Sequence, residues 1–156
     1  MSRKGADLAL LLLGGFRQLA DSAGVELLRR GYPELRPSQE FAMRAISGGV
    51  NNASELGRRL SISKQAAAKV VALLEERGYV ARMDDTADSR RKLLTVTPLG
   101  HEVMRQGETI FEELRAAWAQ KIGEPALDRL EQDLLVLVGD AAVDLDAPSL
   151  AGLEED

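Results

Sequence analysis

The chain has 156 residues, of which 45% are apolar and 29% charged, so it can fold one domain with an added arm and stay dissolved. It has no cysteine and a single histidine, His101, which excludes disulfides, thiolate metal sites, cysteine nucleophiles and thiol redox sensing. The net charge of −5 argues against a nucleic-acid partner until it is divided: residues 1–50 carry +2, residues 51–100 carry +3 and residues 101–156 carry −10. That asymmetry suits a middle segment facing an anion and a C-terminal segment held away from it.

Residues 7–30 have the apolar spacing of a helix, with Leu8, Leu12, Leu19 and Leu27 recurring and Gly14-Gly15 weakening it locally. Arg3 and Lys4 ahead of "LALLLLGG" imitate a signal peptide, but the uninterrupted apolar run is only Leu8 to Leu13. That is short of a signal's apolar core and of the roughly 20 residues that span a bilayer, so no cleaved signal and no membrane partner are expected, and the location expected is cytoplasmic. Pro37-Ser38 opens a second helix that stops at Gly48-Gly49. Asn52 and Glu55 read as a capping box for the short helix "ASELGRRL", in which Gly57 would permit a close helix crossing. Ser61 or Ser63 caps the next helix, which ends at Arg77 before Gly78. "YVARM" and "KLLTVT" are strand-like around the polar loop "DDTADSRR". Thr97-Pro98 begins a long helix carrying Val103, Ile110, Phe111, Leu114 and Trp118. Gly123 and Pro125 separate it from a last helix with Leu127, Leu130, Leu134 and Leu137 or Val138.

This order predicts a mainly α fold with a small β-hairpin wing: a winged helix-turn-helix domain with N- and C-terminal dimerisation helices. The expected divisions are 1–36 for an N-terminal dimerisation helix and connector, 37–100 for the winged domain, 101–145 for C-terminal dimerisation helices and 146–156 for a flexible acidic tail. The end helices hold more apolar positions than a lone winged domain could bury, which points to a partner surface.

On a helical wheel of residues 63–74, Ala67, Val70, Val71 and Leu74 share one side with Ser63, while Lys64, Gln65, Ala68, Lys69 and Ala72 share the other. Polar arms around small residues near a helix N-terminus are what a major-groove recognition helix needs: Gln can bond adenine, Lys guanine, and an Ala methyl can touch that of thymine. Alanine is also simply the best helix former, and lysines are usually just solvated. What favours the DNA reading is the neighbouring hairpin tip, where Arg90, Arg91 and Lys92 could enter the adjacent minor groove. Asp84, Asp85 and Asp88 would repel phosphate there, unless Asp88 pairs with an arginine and holds the loop in shape. In that case Asp88→Ala weakens binding although it removes a negative charge.

The stretch "ELGRRLSISKQAAAKVVALLEERGYVAR" followed by "DSRRKLLTVTPLGHEV" resembles the MarR family of bacterial transcription regulators. Leu74, Glu75, Gly78, Val80 and Arg82 match the family's pattern at the end of the helix-turn-helix, with Tyr79 for the common Leu. Asp88, Arg90, Lys92, Thr97 and Gly100 match its wing, with Val96 for Leu. The resemblance implies an interlocked homodimer with two winged domains on a pseudo-palindromic double-stranded DNA operator. It puts the DNA-facing positions on Ser63, Lys64, Gln65, Ala68 and Lys69, with Arg90 as the wing arginine. It further implies a small aromatic or anionic effector that releases DNA, and repression as the commoner behaviour. The family's cysteine-based oxidant sensors are excluded.

His101 reads as an ordinary helix-start histidine, Arg17 as a surface arginine and Trp118 as packing. No Gly-rich phosphate loop, nucleophile elbow or paired carboxylate stands out, so no enzyme, catalytic residue, metal or cofactor is expected. The competing reading is a winged-helix protein–protein interaction module that binds no specific DNA.

Overall fold

The computed structural model describes residues 2–139. Along them run α1 (Lys4–Arg29), α2 (Pro37–Ser47), α3 (Ala53–Leu60), α4 (Lys64–Glu76), β1 (Val80–Asp84), β2 (Lys92–Val96), α5 (Pro98–Ile122) and α6 (Glu124–Val138). The mainly α fold with one hairpin is the one the sequence predicts. The tail expected over 146–156, and residues 140–145 of the expected C-terminal arm, lie outside the described residues.

Local chemistry sets most boundaries. Asn52 Oδ1 accepts the Glu55 N–H at 2.8 Å and starts α3. Thr97 Oγ1 accepts the Gly100 N–H at 3.1 Å and starts α5, with Pro98 in the first turn. The two strands pair antiparallel, Val80 opposite Val96 and Asp84 opposite Lys92. β2 also hooks onto the loop before α3, its Leu94 N–H donating to the Asn51 carbonyl at 2.9 Å.

The core lies under the winged domain. Met43, Leu56, Leu60, Val71, Leu74, Tyr79, Val103 and Ile110 are all buried there. Tyr79, standing where the related pattern has Leu, is only 2% exposed.

Helix α5 is the spine, and α1 lies along it with Ala23, Gly24 and Leu27 buried. At Gly15 an added Cβ would come 3.4 Å from Cη2 of Trp118, so the indole of α5 lies against this point of α1. Lower down, Arg30 joins the helices, reaching Glu26 at 3.0 Å, Gln106 at 2.8 Å and Glu113 at 3.0 Å. Arg29, and then Arg30, hold the Glu26 carboxyl down at about 2.

The ends of the chain are the opposite of buried. Leu8, Leu10 and Leu11 on α1, and Leu135, Val136 and Leu137 on α6, are each more than half exposed. One expectation is revised here: α1 has 26 residues and holds an 18-residue window of mean hydropathy 1.2, long and apolar enough to cross a membrane by length and composition. The contiguous leucines understated it, because the apolar character continues past Gly14-Gly15. Only the segment before Gly15 is exposed throughout, however. At 1.5 Å per residue that is roughly 16 Å, about half a bilayer's apolar thickness.

Candidate nucleic-acid interface

The turn between α3 and α4 explains how the recognition surface is held. Ser61 adopts the left-handed conformation, with φ 57°, and closes α3. That leaves Ser63 as the N-cap of α4, its Oγ accepting the Ala66 N–H at 3.0 Å. The hydroxyl implied as a DNA contact therefore already caps the helix, though the residue is exposed. The wheel had set Ser63 on the apolar side; lying outside the helix proper, it does not follow the helical angle. Gly57 lies against this turn: a Cβ there would sit 3.0 Å from the Ile62 carbonyl oxygen and 3.3 Å from that of Ser63. Its small size admits the returning backbone of the turn itself.

Beyond the cap, the two faces of α4 separate as the wheel has them. Ala67, Val71 and Leu74 are fully buried, whereas Lys64, Gln65, Ala68 and Lys69 are exposed, with Ala72 a turn further on. Two lysines and a glutamine thus flank a strip no taller than a methyl group.

The wing tip is shaped by its own acids. Asp88 Oδ1 accepts the Arg90 N–H at 3.1 Å, and the Arg91 N–H donates to the Asp88 carbonyl at 3.0 Å. Asp85 Oδ1 likewise accepts the Ala87 N–H at 2.9 Å. Asp88 reaches Arg90 chiefly through its backbone, since the guanidinium Nε stands 3.9 Å away and the side chain is 94% exposed. Replacing Asp88 with alanine is therefore expected to free the loop and weaken DNA binding a fewfold while stability hardly changes, a pairing that anisotropy and thermal melting would check together. The three basic residues of the wing are not equivalent. Arg90 and Arg91 are exposed at the tip, whereas Lys92 opens β2 and is ion-paired to Asp84 across the hairpin.

Two links absent from the sequence reading fix this surface to the rest of the molecule. Arg82 of β1 donates to Glu75 of α4 at 3.1 Å, tying the wing to that helix. Arg77, at the end of α4, donates to the Glu34 carbonyl at 2.5 Å and so grips the connector between α1 and α2.

Two hollows among the described residues lie along α1, the smaller of them where it meets the winged domain. A small one of about 50 Å³ is lined by Phe16, Phe41 and Phe111, the chain's three phenylalanines, with Leu35 and Glu40 beside them. Burial pushes the Glu40 carboxyl above its usual range; Arg44 opposes the shift and Glu108 adds to it. The carboxylate rests on α5 at Gly107, where a Cβ would lie 3.1 Å from Oε1. The larger hollow, an open cleft of about 500 Å³ between α1 and α5, is rimmed by Asp21, Glu26 and Glu113 over Val25, Ile110 and Leu114. His101 is exposed at the start of α5, and Arg17 is exposed on α1 and lines neither hollow.

The family model described as "MarR family" matches residues 43–91, the helix-turn-helix and most of the wing. The transcriptional regulator HosA of Escherichia coli is 32% identical over 87 residues, which are 52% of this chain; the chain spans 64% of that relative's length. Among solved structures, an S. aureus MepR mutant bound to an oligodeoxyribonucleotide is 15% identical with a TM-score of 0.58, covering 84% of this chain and 95% of that one. The Mycobacterium tuberculosis MarR family protein RV2887 in complex with salicylic acid is 24% identical with a TM-score of 0.63, covering 83% of this chain and 95% of that one. These two likenesses are of fold. Over the helix-turn-helix and most of the wing, the chain is thus similar to the MarR family.

Proposed function

We propose that the protein is a sequence-specific DNA-binding transcriptional regulator, a cytoplasmic repressor acting as a homodimer on a pseudo-palindromic operator and released by a small molecule. The observation that carries this reading is the exposed face of α4, with Lys64, Gln65 and Lys69 around Ala68, beside a wing tip whose Arg90 is 94% exposed. Ser63, Lys64, Gln65, Ala68 and Lys69 would meet the major groove, with Arg90 and Arg91 at the minor groove. Lys92, paired to Asp84, contributes more to the hairpin than to phosphate. MepR bound to DNA and the regulator HosA support the assignment by analogy.

The homodimer is supported by the exposed leucines of α1 and the exposed apolar residues of α6, two surfaces at opposite ends of the sequence that a second copy would cover. For the effector, the hollow among the three phenylalanines is too small at about 50 Å³, whereas the cleft of about 500 Å³ between α1 and α5 has the size of a ligand site. Its described rim carries Asp21, Glu26 and Glu113 over Val25, Ile110 and Leu114, so an uncharged or cationic molecule fits it better than an acid.

Fluorescence anisotropy against the protein's own upstream DNA and a scrambled duplex, over a salt series, tests the main reading. Gln65→Ala should relax sequence choice by roughly 1–3 kcal/mol. Arg90→Ala should weaken binding about evenly across sequences and reduce the salt slope by about 1. Equal, weak binding to both duplexes and to selected random DNA, unmoved by either substitution, would leave the protein–protein module as the function.

A further inference from the structure

Helix α6 has one buried residue, Leu127, among its 15. Leu134 is half-buried, and a single cation supplies the polar anchor. Arg115 of α5 spends its whole guanidinium on α6, with Nε 2.6 Å from Glu131, Nη1 2.5 Å from Glu124 and Nη2 2.7 Å from Asp128. Residues 124, 128 and 131 fall on one helical face, four and then three apart, so the three carboxylates form a row facing α5. The residue is only 30% exposed, and its contacts form a network of short bonds, unlike a lone surface pair. Leu135, Val136 and Leu137, further along the helix, are left open.

We propose that Arg115 is a positioning residue for DNA binding: it clamps α6 onto α5 at the angle that presents the helix's open apolar residues to a second copy. The proposal rests on the homodimer reading. The charge count explains why the clamp is needed. Three carboxylates converge on one guanidinium, so without it α6 turns three uncompensated like charges toward α5, with Leu127 and the half-buried Leu134 as its apolar hold. Lysine is no substitute, because a compact ammonium cannot send separate, fixed donors to three acceptors in a row.

The test uses the full chain and four proteins: wild type, Arg115→Lys, Arg115→Met, and Arg115→Met combined with Glu124→Gln, Asp128→Asn and Glu131→Gln. Hydrogen exchange over residues 124–138 reads the clamp itself. Sedimentation reads assembly, and anisotropy compares a full palindrome with a single half-site. Arg115→Met and Arg115→Lys should both speed exchange in α6, raise the dimer dissociation constant about tenfold and weaken palindrome binding with it, leaving half-site binding within about twofold. The neutralised combination should recover slow exchange and dimerisation, which separates clamping from misfolding. A dimeric wild type whose exchange and assembly ignore Arg115→Met overturns the clamp alone. Equal loss on palindrome and half-site overturns the positioning role. A wild type monomeric at every concentration overturns the homodimer reading and the proposal together, whatever exchange shows.

Discussion

Gly100→Ala is expected to cost about 3 kcal/mol or more, a large part of the roughly 5–15 kcal/mol that holds a domain of this kind together. A Cβ on residue 100 would lie 2.2 Å from the Tyr79 carbonyl oxygen and 2.7 Å from Cγ1 of Val96. Neither neighbour can step aside cheaply. The Tyr79 oxygen accepts the Thr97 N–H at 2.9 Å, and Val96 is paired with Val80 in the hairpin. The substitution would therefore push the first turn of α5 off the wing. Alanine's better helix propensity returns only about 1 kcal/mol against this. Gly24→Ala makes the contrast: in α1 the nearest atom to its added Cβ is Glu34 Cγ at an ordinary 3.8 Å, so the same chemical change should stabilise by up to about 1 kcal/mol. Urea unfolding of both variants decides the matter. A Gly100→Ala midpoint equal to wild type would mean that α5 does not pack against the Tyr79 carbonyl.

Ala68→Glu should leave the melting curve where it is and remove DNA binding. Residue 68 is exposed, whereas its neighbour Ala67 is fully buried, so a long side chain at 68 displaces nothing within the protein. In a DNA groove it would do two things at once: fill the space left for base edges and bring a carboxylate toward phosphates. Like charges brought together at an interface cost several kcal/mol, and about 2.7 kcal/mol is already a hundredfold in affinity. Anisotropy on the operator duplex should accordingly show a loss of about a hundredfold or more. Retained affinity would show that the bound surface is not this face of α4.

How far the sequence anticipates these features depends on how far apart the interacting residues lie. Helix order, the caps at Asn52 and Thr97, the glycine at 78 and the two faces of α4 are set by residues within a turn or two of each other, and all are legible. Ser61 and Ser63 were the ambiguous case. Both can cap, and only the left-handed turn at Ser61 decides for Ser63. What escaped was long-range. Gly15 lies against Trp118, and Gly107 against Glu40. Arg30 finds Gln106 and Glu113 at separations of 76 and 83 residues. Arg115 and its three carboxylates all lie within 16 residues, yet the chain reverses at Gly123 between them, so no helical spacing reveals the cluster. In the candidate site, exposure of α4 was legible. The capping role of Ser63, the Arg82–Glu75 link and the pairing of Lys92 with Asp84 were not, because a side chain's choice between solvent, backbone and a neighbouring strand is made in three dimensions.

The bond from Arg77 to the Glu34 carbonyl changes what kind of machine the winged domain is. A reading head held only by its own core could swivel independently of whatever happens in the arms. Here the trailing end of α4 is moored to the strap that leads back to α1, so its pitch is shared property. A tug on that strap would reach α4 as torque, and a load on the exposed face of α4 would travel back the same way.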